Sequence, residues 1–173
     1  YQYDIQGEMK FINVSTEYRN HFVAVGDDLI AAVGTYFNDT NVEYCVEIYV
    51  NDVLKLVQTG VSPFYGFHTI KLDSYVPVKK GDVFAVKIIS NSVPILTGSR
   101  QHHVKGTSQV LFGDVWTNVT DMGVVASIKA YTVADDSKIT NNADITVDYD
   151  GGKYFSVKVV TEDGHGVVGA DVK

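Results

Sequence analysis

Cysteine and proline are scarce in this sequence, and long hydrophobic runs are absent from it. The 173 residues include one cysteine and three prolines. The single cysteine, Cys45, excludes an internal disulfide and any metal site built from several cysteines. Apolar stretches such as residues 29–33 fall far short of the roughly 18–20 residues that a membrane span needs. We therefore expect no transmembrane helix in this segment.

Basic residues are also few. The chain carries 14 Lys and Arg against 21 Asp and Glu, a net charge of −7. A nucleic-acid-binding protein would show a basic face, so this class is excluded. The first residues are neither basic nor apolar enough for a signal peptide, and we expect the chain to be part of a longer protein.

What the sequence does have is an alternation of period two. In residues 42–50, Val42, Val46 and Ile48 share one face of an extended chain, and Glu43 and Glu47 share the other. This pattern predicts a half-buried strand, because alternate side chains of a strand point to opposite faces. The pair Asn51-Asp52 then predicts a hairpin turn into a second strand over residues 53–58.

The same alternation recurs along most of the chain, and no window shows a convincing helical period. Further strands are predicted at residues 21–25, 29–37, 67–72, 83–89, 108–112, 115–119 and 124–132. Short alternating strands with a turn every ~8–12 residues indicate an all-β fold, an antiparallel β-sandwich or barrel.

The pattern changes after residue 132. Residues 1–132 carry 10 basic and 13 acidic residues, whereas residues 133–173 carry 4 and 8. We interpret 1–132 as one domain, 133–138 as a polar linker and 139–173 as the truncated start of a second β domain. Three short strands, at residues 144–149, 153–161 and 167–172, are too few to be stable alone.

Several short motifs resemble a known family. They are Tyr1-Gln2-Tyr3-Asp4, residues 31–36 (AAVGTY), residues 66–73 (GFHTIKLD), residues 77–86 (PVKKGDVFAV) and residues 127–132 (SIKAYT). Together they resemble the lectin-like domain found with papain-family cysteine peptidases and in adhesin-like surface proteins of bacteria and methanogenic archaea. The resemblance covers about residues 1–132 and implies a jelly-roll or lectin-like β-sandwich.

The tail is similar to the start of an immunoglobulin-like (Big-type) adhesin repeat. The similarity lies in the strand at residues 155–160 and in residues 163–172 (DGHGVVGADV). The two resemblances imply an extracellular, cell-surface protein. Since the tail ends after three strands, its apolar face and strand edges would be uncovered, and we expect it to pair with a second copy in a homodimer through 139–173.

These resemblances favour a non-catalytic recognition module of a surface adhesin that binds carbohydrate or a surface protein of another cell. The rival interpretation is a structural spacer or an accessory domain of a surface cysteine peptidase with no ligand of its own. A hydrolase is not expected, because Glu43 and Glu47 lie roughly 13 Å apart on one strand at ~3.3 Å per residue, which exceeds the catalytic spacing of paired carboxylates.

Candidate ligand-binding residues are the aromatic side chains and the polar groups near them. Aromatic rings at a wet surface supply contact area together with a polar handle, as sugar binding requires. Residues 90–105 form the longest stretch without alternation, which predicts a functional loop. The candidates are Phe64, Tyr65, Phe67, Arg100, His102, His103, Asp114 and Trp116. Trp116 also alternates within its strand and could equally be a core residue.

No catalytic or metal site is predicted. Cys45 lies mid-strand without a helix N-terminus to activate it, so we expect an inert structural thiol. His102 and His103 are adjacent, and on a strand they would point to opposite faces, which argues against zinc. Asn38, Asp39 and Asn41 supply oxygen atoms that suit calcium, but they lack a recognised calcium-loop spacing, and the same residues are typical of turns. We expect no cofactor, with calcium as the weaker alternative.

Overall fold

The structure is a computed structural model that describes residues 1–101, 104–135, 146–148 and 156–158. The chain divides into two compact units, Tyr1–Ala134 and Asp135–Lys173. The strands of the first unit are β1 (Asp4–Ile12), β2 (Glu17–Val23), β3 (Asp28–Phe37), β4 (Val42–Val50), β5 (Val53–Ser62), β6 (Gly66–Val78), β7 (Val83–Ile89), β8 (Val93–Gln101), β9 (Ser108–Phe112), β10 (Val115–Asn118), β11 (Val124–Ala126) and β12 (Lys129–Ala134).

These strands form an all-β, antiparallel sandwich, as the alternation predicted. One layer is a six-stranded sheet in the order β10-β9-β2-β7-β4-β5. The other consists of the sheets β12-β3-β6 and β1-β8-β11, which an antiparallel bridge between Gln2 and Lys129 joins. The core lies between the layers, with Phe84 and Ile48 from the first and Ile30 and Val33 from the second.

The predicted β4–β5 hairpin is present and its turn explains how it forms without glycine. Asn51 and Asp52 both have positive φ, 49° and 62°. Two successive residues of this kind make the turn that matches the twist of a hairpin, and Asn and Asp tolerate it better than other non-glycine residues. The side chain of Asn51 then accepts a hydrogen bond from the Val83 amide of the adjacent strand β7 (3.1 Å).

The predicted loop at residues 90–105 is wrong over most of its length, because β8 occupies Val93–Gln101. Val93, Pro94, Ile95 and Leu96 are all buried, so the strand shows no polar alternation. β8 is the central strand of its sheet, between β1 and β11. A strand covered on both faces has a continuous apolar sequence, which is why the pattern did not reveal it.

Other boundaries also differ from the prediction: β2 begins at Glu17 and ends at Val23, and β6 continues to Val78. The strand expected over residues 124–132 is two strands in different sheets, β11 and β12, separated by Ser127 and Ile128. Both of these residues are buried where the chain crosses from one sheet to the next. β1 is not among the predicted strands, although Met9 and Phe11 alternate with Glu8 and Lys10. Its pairing with β8 is irregular near Gln6.

A chain of buried polar contacts crosses the sandwich. Tyr18 of β2 lies 2.9 Å from the hydroxyl of Thr35 on β3, and Thr35 donates to the carbonyl of Ser127 (2.9 Å). Ser127 in turn donates to Asp4 (2.5 Å), which pairs with Lys129 (2.9 Å). Since the single Thr35 proton goes to Ser127, Tyr18 must be the donor of its own contact. We call these five residues the buried polar chain.

In the second unit the described residues form the antiparallel pair β13 (Thr146–Asp148) and β14 (Ser156–Lys158), with Val147 opposite Val157. Both fall within predicted strands. The third predicted strand, at residues 167–172, lies outside the described residues. Among the described residues, no helix is long and apolar enough to cross a membrane.

Candidate functional site

The aromatic candidates Phe64 and Tyr65 lie in the turn between β5 and β6, and both rings are exposed. His68 packs against this turn, with its ring centroid 4.3 Å from that of Phe64. The Nε2 atom of His68 is 2.7 Å from the Phe64 carbonyl, and the hydroxyl of Ser62 donates to the same oxygen (2.9 Å). These contacts hold the Phe64 ring at the surface.

Phe67 lies elsewhere, on the outer face of the sheet β12-β3-β6. It is cross-strand partner to Tyr36, with ring centroids 5.0 Å apart. The rings of Phe67 and Tyr131 both cover Gly34, where an added Cβ atom would come within 2.7 Å of Phe67 and 3.2 Å of Tyr131. We call Gly34, Tyr36, Phe67 and Tyr131 the Gly34 platform. Glycine is required there because the rings lie against the backbone.

Trp116 is not a core residue. It pairs with Leu111 on the outer face of the six-stranded sheet, and the guanidinium of Arg19 lies 4.2 Å from its ring centroid. Arg19 points outward because Tyr18, Asn20 and Phe22, its neighbours on β2, alternate inward. A guanidinium over an indole is the most favourable cation–π pairing among side chains.

Two amides complete the surroundings of Arg19. The Nε atom of Arg19 donates to Oε1 of Gln109 (2.7 Å), and the Gln109 amide donates to Oδ1 of Asn118 (2.9 Å). We call Arg19, Gln109, Trp116 and Asn118 the Arg19 cluster. It is assembled by the order β10-β9-β2, which brings together residues up to 99 positions apart in the sequence. All four side chains are partly buried.

The next strand carries the neighbouring charge. Lys87 of β7 lies directly opposite Arg19 of β2 in the strand pairing. Its ammonium forms ion pairs with Glu17 (2.8 Å) and Glu47 (3.4 Å). Burial opposes the charge of Lys87, but the hydrogen bond to Glu17 and the charge of Glu47 raise its pKa. Tyr49 also donates to Glu47 (2.6 Å). The two carboxylates are therefore occupied by Lys87 and Tyr49.

Two other candidates lie on different elements from Trp116. Asp114 is exposed in the turn between β9 and β10, and Arg100 lies within β8, where it pairs with Gln6. His102 and His103 lie outside the described residues. The structure thus places the described candidates at separate locations: two turns, the outer faces of two different sheets, and strand β8.

The calcium candidates occupy the turn between β3 and β4. The Asp39 carboxylate accepts a hydrogen bond from the Thr40 amide (2.7 Å), and Asn41 adopts a positive φ of 54°. The Asn38 amide lies 3.5 Å from Asn13. These are contacts of turn residues. In the described ranges, no three His, Cys, Asp or Glu side chains come together in a way that could hold a metal ion.

Cys45 lies on the outer face of the six-stranded sheet, partly buried, and not in the core that the usual burial of free cysteine suggested. It borders an open cleft of about 530 Å³ together with Glu43, Thr59, Gly60 and Ser90. Burial, and then the charge of Glu47, raise the pKa of the thiol. A thiol that stays protonated is a poor nucleophile.

Arg19 is the functional candidate that sequence reasoning missed. Its strand alternates over residues 17–23, which would have placed Arg19 and His21 on the outer face. The contact with Trp116 depends on the pairing of β9 with β2, between residues about 90 positions apart, and local patterns do not specify that pairing.

Comparison with known proteins places this geometry in context. A family model described as "Lectin like domain" matches residues 1–132. The fold resembles a crystal structure of the cysteine protease and lectin-like domains of Cwp84, a surface layer associated protein of Clostridium difficile. That match has a TM-score of 0.57 and 14% identity, and it covers 73% of this chain and 36% of that chain.

A second solved structure is also similar, that of the clostridial cysteine protease Cwp84 after propeptide cleavage. Here the TM-score is 0.63 and the identity 16%, with 78% of this chain and 40% of that chain covered. The comparison with curated proteins gave no match. The chain therefore spans 36–40% of the solved chains that it resembles. At 14–16% identity, this similarity is one of fold alone.

Proposed function

From the premise that this chain belongs to the lectin-like domain family over residues 1–132, we propose that it is a non-catalytic recognition module that binds carbohydrate. The Arg19 cluster supports this proposal best. An indole, a guanidinium and two side-chain amides lie together on a partly buried surface of a rigid sheet. Such a surface offers apolar contact area with directional hydrogen bonds, the combination that sugar rings and their hydroxyls need.

The chemistry of the remaining polar groups supports a non-catalytic role. The thiol of Cys45 is held protonated by its surroundings, and Glu47 is bound to Lys87 and Tyr49. Neither group is free to act as a nucleophile or as a general base.

We also propose that the module acts outside the cell, on a cell-surface protein of the adhesin type. The similar solved structures are of Cwp84, a surface layer associated protein, which supports this location. The partner would be carbohydrate or a surface protein of another cell. Several tethered copies would strengthen weak single-site binding, because tethering raises the effective concentration.

The test is binding of the full chain to a glycan array, followed by titration of the best ligand. We expect Trp116→Ala to lose most of the binding, with an unchanged melting transition confirming the fold. Phe67→Ala is the matched control, since it removes an aromatic ring from the outer face of the other layer. Absence of any glycan binding by the unmodified chain would contradict the proposal, and loss of binding with Phe67→Ala alone would move the site to the Gly34 platform.

A second candidate function is an accessory domain of a surface cysteine peptidase. It is favoured by one observation, that both fold neighbours are chains of a cysteine protease. This role predicts association with a peptidase domain instead of a glycan. Mixing the chain with the isolated cysteine protease domain of Cwp84 and measuring sedimentation would test it, and two independently migrating species would argue against it.

For residues 139–173 we keep the proposal of an immunoglobulin-like repeat that pairs with a second copy. The described pair β13–β14 supplies two strands of such a sheet. Sedimentation of the full chain beside a chain ended after Ala134 tests the homodimer. A monomer in both cases would eliminate it.

A further inference from the structure

The guanidinium of Arg19 is held in a fixed plane. Its Nε atom donates to Gln109 (2.7 Å), and its face lies over the indole of Trp116 at 4.2 Å. Gln109 is itself oriented by Asn118 (2.9 Å). Within the described part of the chain, the bond to Gln109 is the one hydrogen bond that Arg19 donates. The edge of the guanidinium that carries its two terminal amino groups is therefore oriented and available.

Arg19 also lacks a direct counter-ion among the described residues. The charge of Asp52, in the turn between β4 and β5, favours the charged form of Arg19 without forming an ion pair with it. Glu17 and Glu47, on neighbouring strands, are engaged by Lys87 at 2.8 and 3.4 Å. On the other side, His21 follows on the same face of β2, and burial keeps the pKa of its imidazole low. The pKa of Arg19 is itself lowered, chiefly by burial. A partly buried cation whose direct contacts are neutral groups gains from a ligand that supplies a negative charge.

Resting on the carbohydrate-binding function proposed above, we infer that the ligand is an acidic sugar, whose carboxylate the two terminal amino groups of Arg19 bind side by side. The planar fork of a guanidinium matches the two oxygens of a carboxylate, and such charge-assisted pairs are stronger than neutral hydrogen bonds. A sheet face with a preoriented fork gives this recognition at little entropic cost, because Gln109 and Trp116 already hold the side chain.

The experiment compares sugars that differ only in charge. The probes are oligogalacturonate, a hyaluronan tetrasaccharide and sialyllactose, each beside its neutral methyl ester, titrated into the full chain by calorimetry. We expect at least one acid to bind at least about ten-fold more tightly than its ester, the factor that one charge-assisted contact supplies. Added salt should weaken the binding of the acid and leave the binding of the ester unchanged.

Three variants locate the carboxylate. Arg19→Gln should reduce binding of the acid to the level of its ester. Gln109→Glu is nearly isosteric and places a carboxylate against Arg19, so it should have the same effect while Arg19 stays in place. Lys71→Gln is the matched control, because it removes an exposed cation from the outer face of the other layer, and it should change nothing. Thermal melting confirms the fold of each variant.

The outcomes separate this inference from the function on which it rests. If acids and esters bind equally, the carbohydrate-binding function stands and the acidic ligand is wrong. If none of these sugars binds, in charged or neutral form, the acidic ligand is wrong, and the glycan array decides separately whether the carbohydrate-binding function stands. Loss of acid binding with Lys71→Gln, or its retention in both Arg19→Gln and Gln109→Glu, would place the anion elsewhere and overturn the inference.

Discussion

Two polar clusters of this molecule differ in how completely they are paired. In the buried polar chain each side chain has a partner within the fold, from Tyr18 to the ion pair of Asp4 with Lys129. In the Arg19 cluster the guanidinium uses one of its donors on Gln109, and its terminal amino groups have no recorded partner among the described residues.

The difference separates groups that hold the fold from groups that can bind. Inside the sandwich an unpaired polar group costs about 1–3 kcal/mol, so every member must be satisfied. On the outer face water can occupy a spare donor, and a ligand can replace that water. Substitutions in the buried polar chain should therefore change stability, whereas substitutions in the Arg19 cluster should change binding.

The largest effect is expected for Asp4→Ala. It removes the counter-ion of the largely buried Lys129 ammonium and the acceptor of the Ser127 hydroxyl, and should reduce the free energy of unfolding by about 3 kcal/mol. Chemical denaturation measures this. Asp114→Ala, in an exposed turn, is the control and should change stability by less than about 0.5 kcal/mol. Equal losses in the two variants would mean that the buried ion pair has no special role.

A smaller loss is expected for Thr35→Val. This change preserves shape but removes the hydroxyl that joins Tyr18 to the Ser127 carbonyl, at a cost of about 1–2 kcal/mol. Thr69→Val on the exposed face of β6 makes the same chemical change outside the core and serves as the control. Equal stability of Thr35→Val and the unmodified protein would show that the two layers are not linked through this contact.

The pH dependence of stability should reveal His21 at the border of the Arg19 cluster. Burial, and then the charge of Arg19, lower the pKa of this imidazole in the folded protein. The folded state thus favours the neutral ring, and the corresponding stability is present above the unfolded pKa. It should be lost progressively as the pH falls from about 6.5, the ordinary value of an imidazole, toward the lowered pKa of the folded protein.

Thermal melting at pH 7.5 and pH 5.0 tests this effect, with His21→Gln as the comparison. The variant should lose less stability on acidification than the unmodified protein. The same decrease in both proteins would assign the pH dependence to other groups.

The smallest effect on stability is expected for Arg19→Gln. It removes one partly exposed cation–π contact and one hydrogen bond, about 1 kcal/mol together. A loss of 3 kcal/mol or more, on the scale of the Asp4 effect, would assign Arg19 to the framework of the fold and remove the distinction drawn above. Chemical denaturation of the unmodified chain and of Arg19→Gln, both without ligand, measures this difference in the free energy of unfolding.

The sequence predicted the all-β class and most of the strands because half-buried strands alternate. It did not reveal β8, whose residues Val93–Leu96 are buried on both faces, or the crossing at Ser127 and Ile128, where one apolar run serves two sheets. Both failures have the same physical origin. Alternation reports exposure on one face, and it disappears wherever the chain is covered on both.

The candidate site was predicted less completely. The residue types predict Trp116 with Asp114 beside it, and they give no indication of Arg19. Its actual neighbour is Arg19, which reaches it through the strand order β10-β9-β2. Pairings between distant strands are set by the packing of the whole sandwich, and residue patterns of 10 to 20 positions do not contain them.

The bridge between Gln2 and Lys129 has a mechanical consequence. The amino terminus of Tyr1 donates a hydrogen bond to the Ala130 carbonyl, and the Tyr1 carbonyl accepts one from the Ala130 amide. The first residues therefore run antiparallel beside β12. Tyr1 and Ala134 thus lie at the same end of this edge. Tension applied across the unit would therefore peel this contact open one hydrogen bond at a time, with the Asp4–Lys129 ion pair as the first strong resistance behind it.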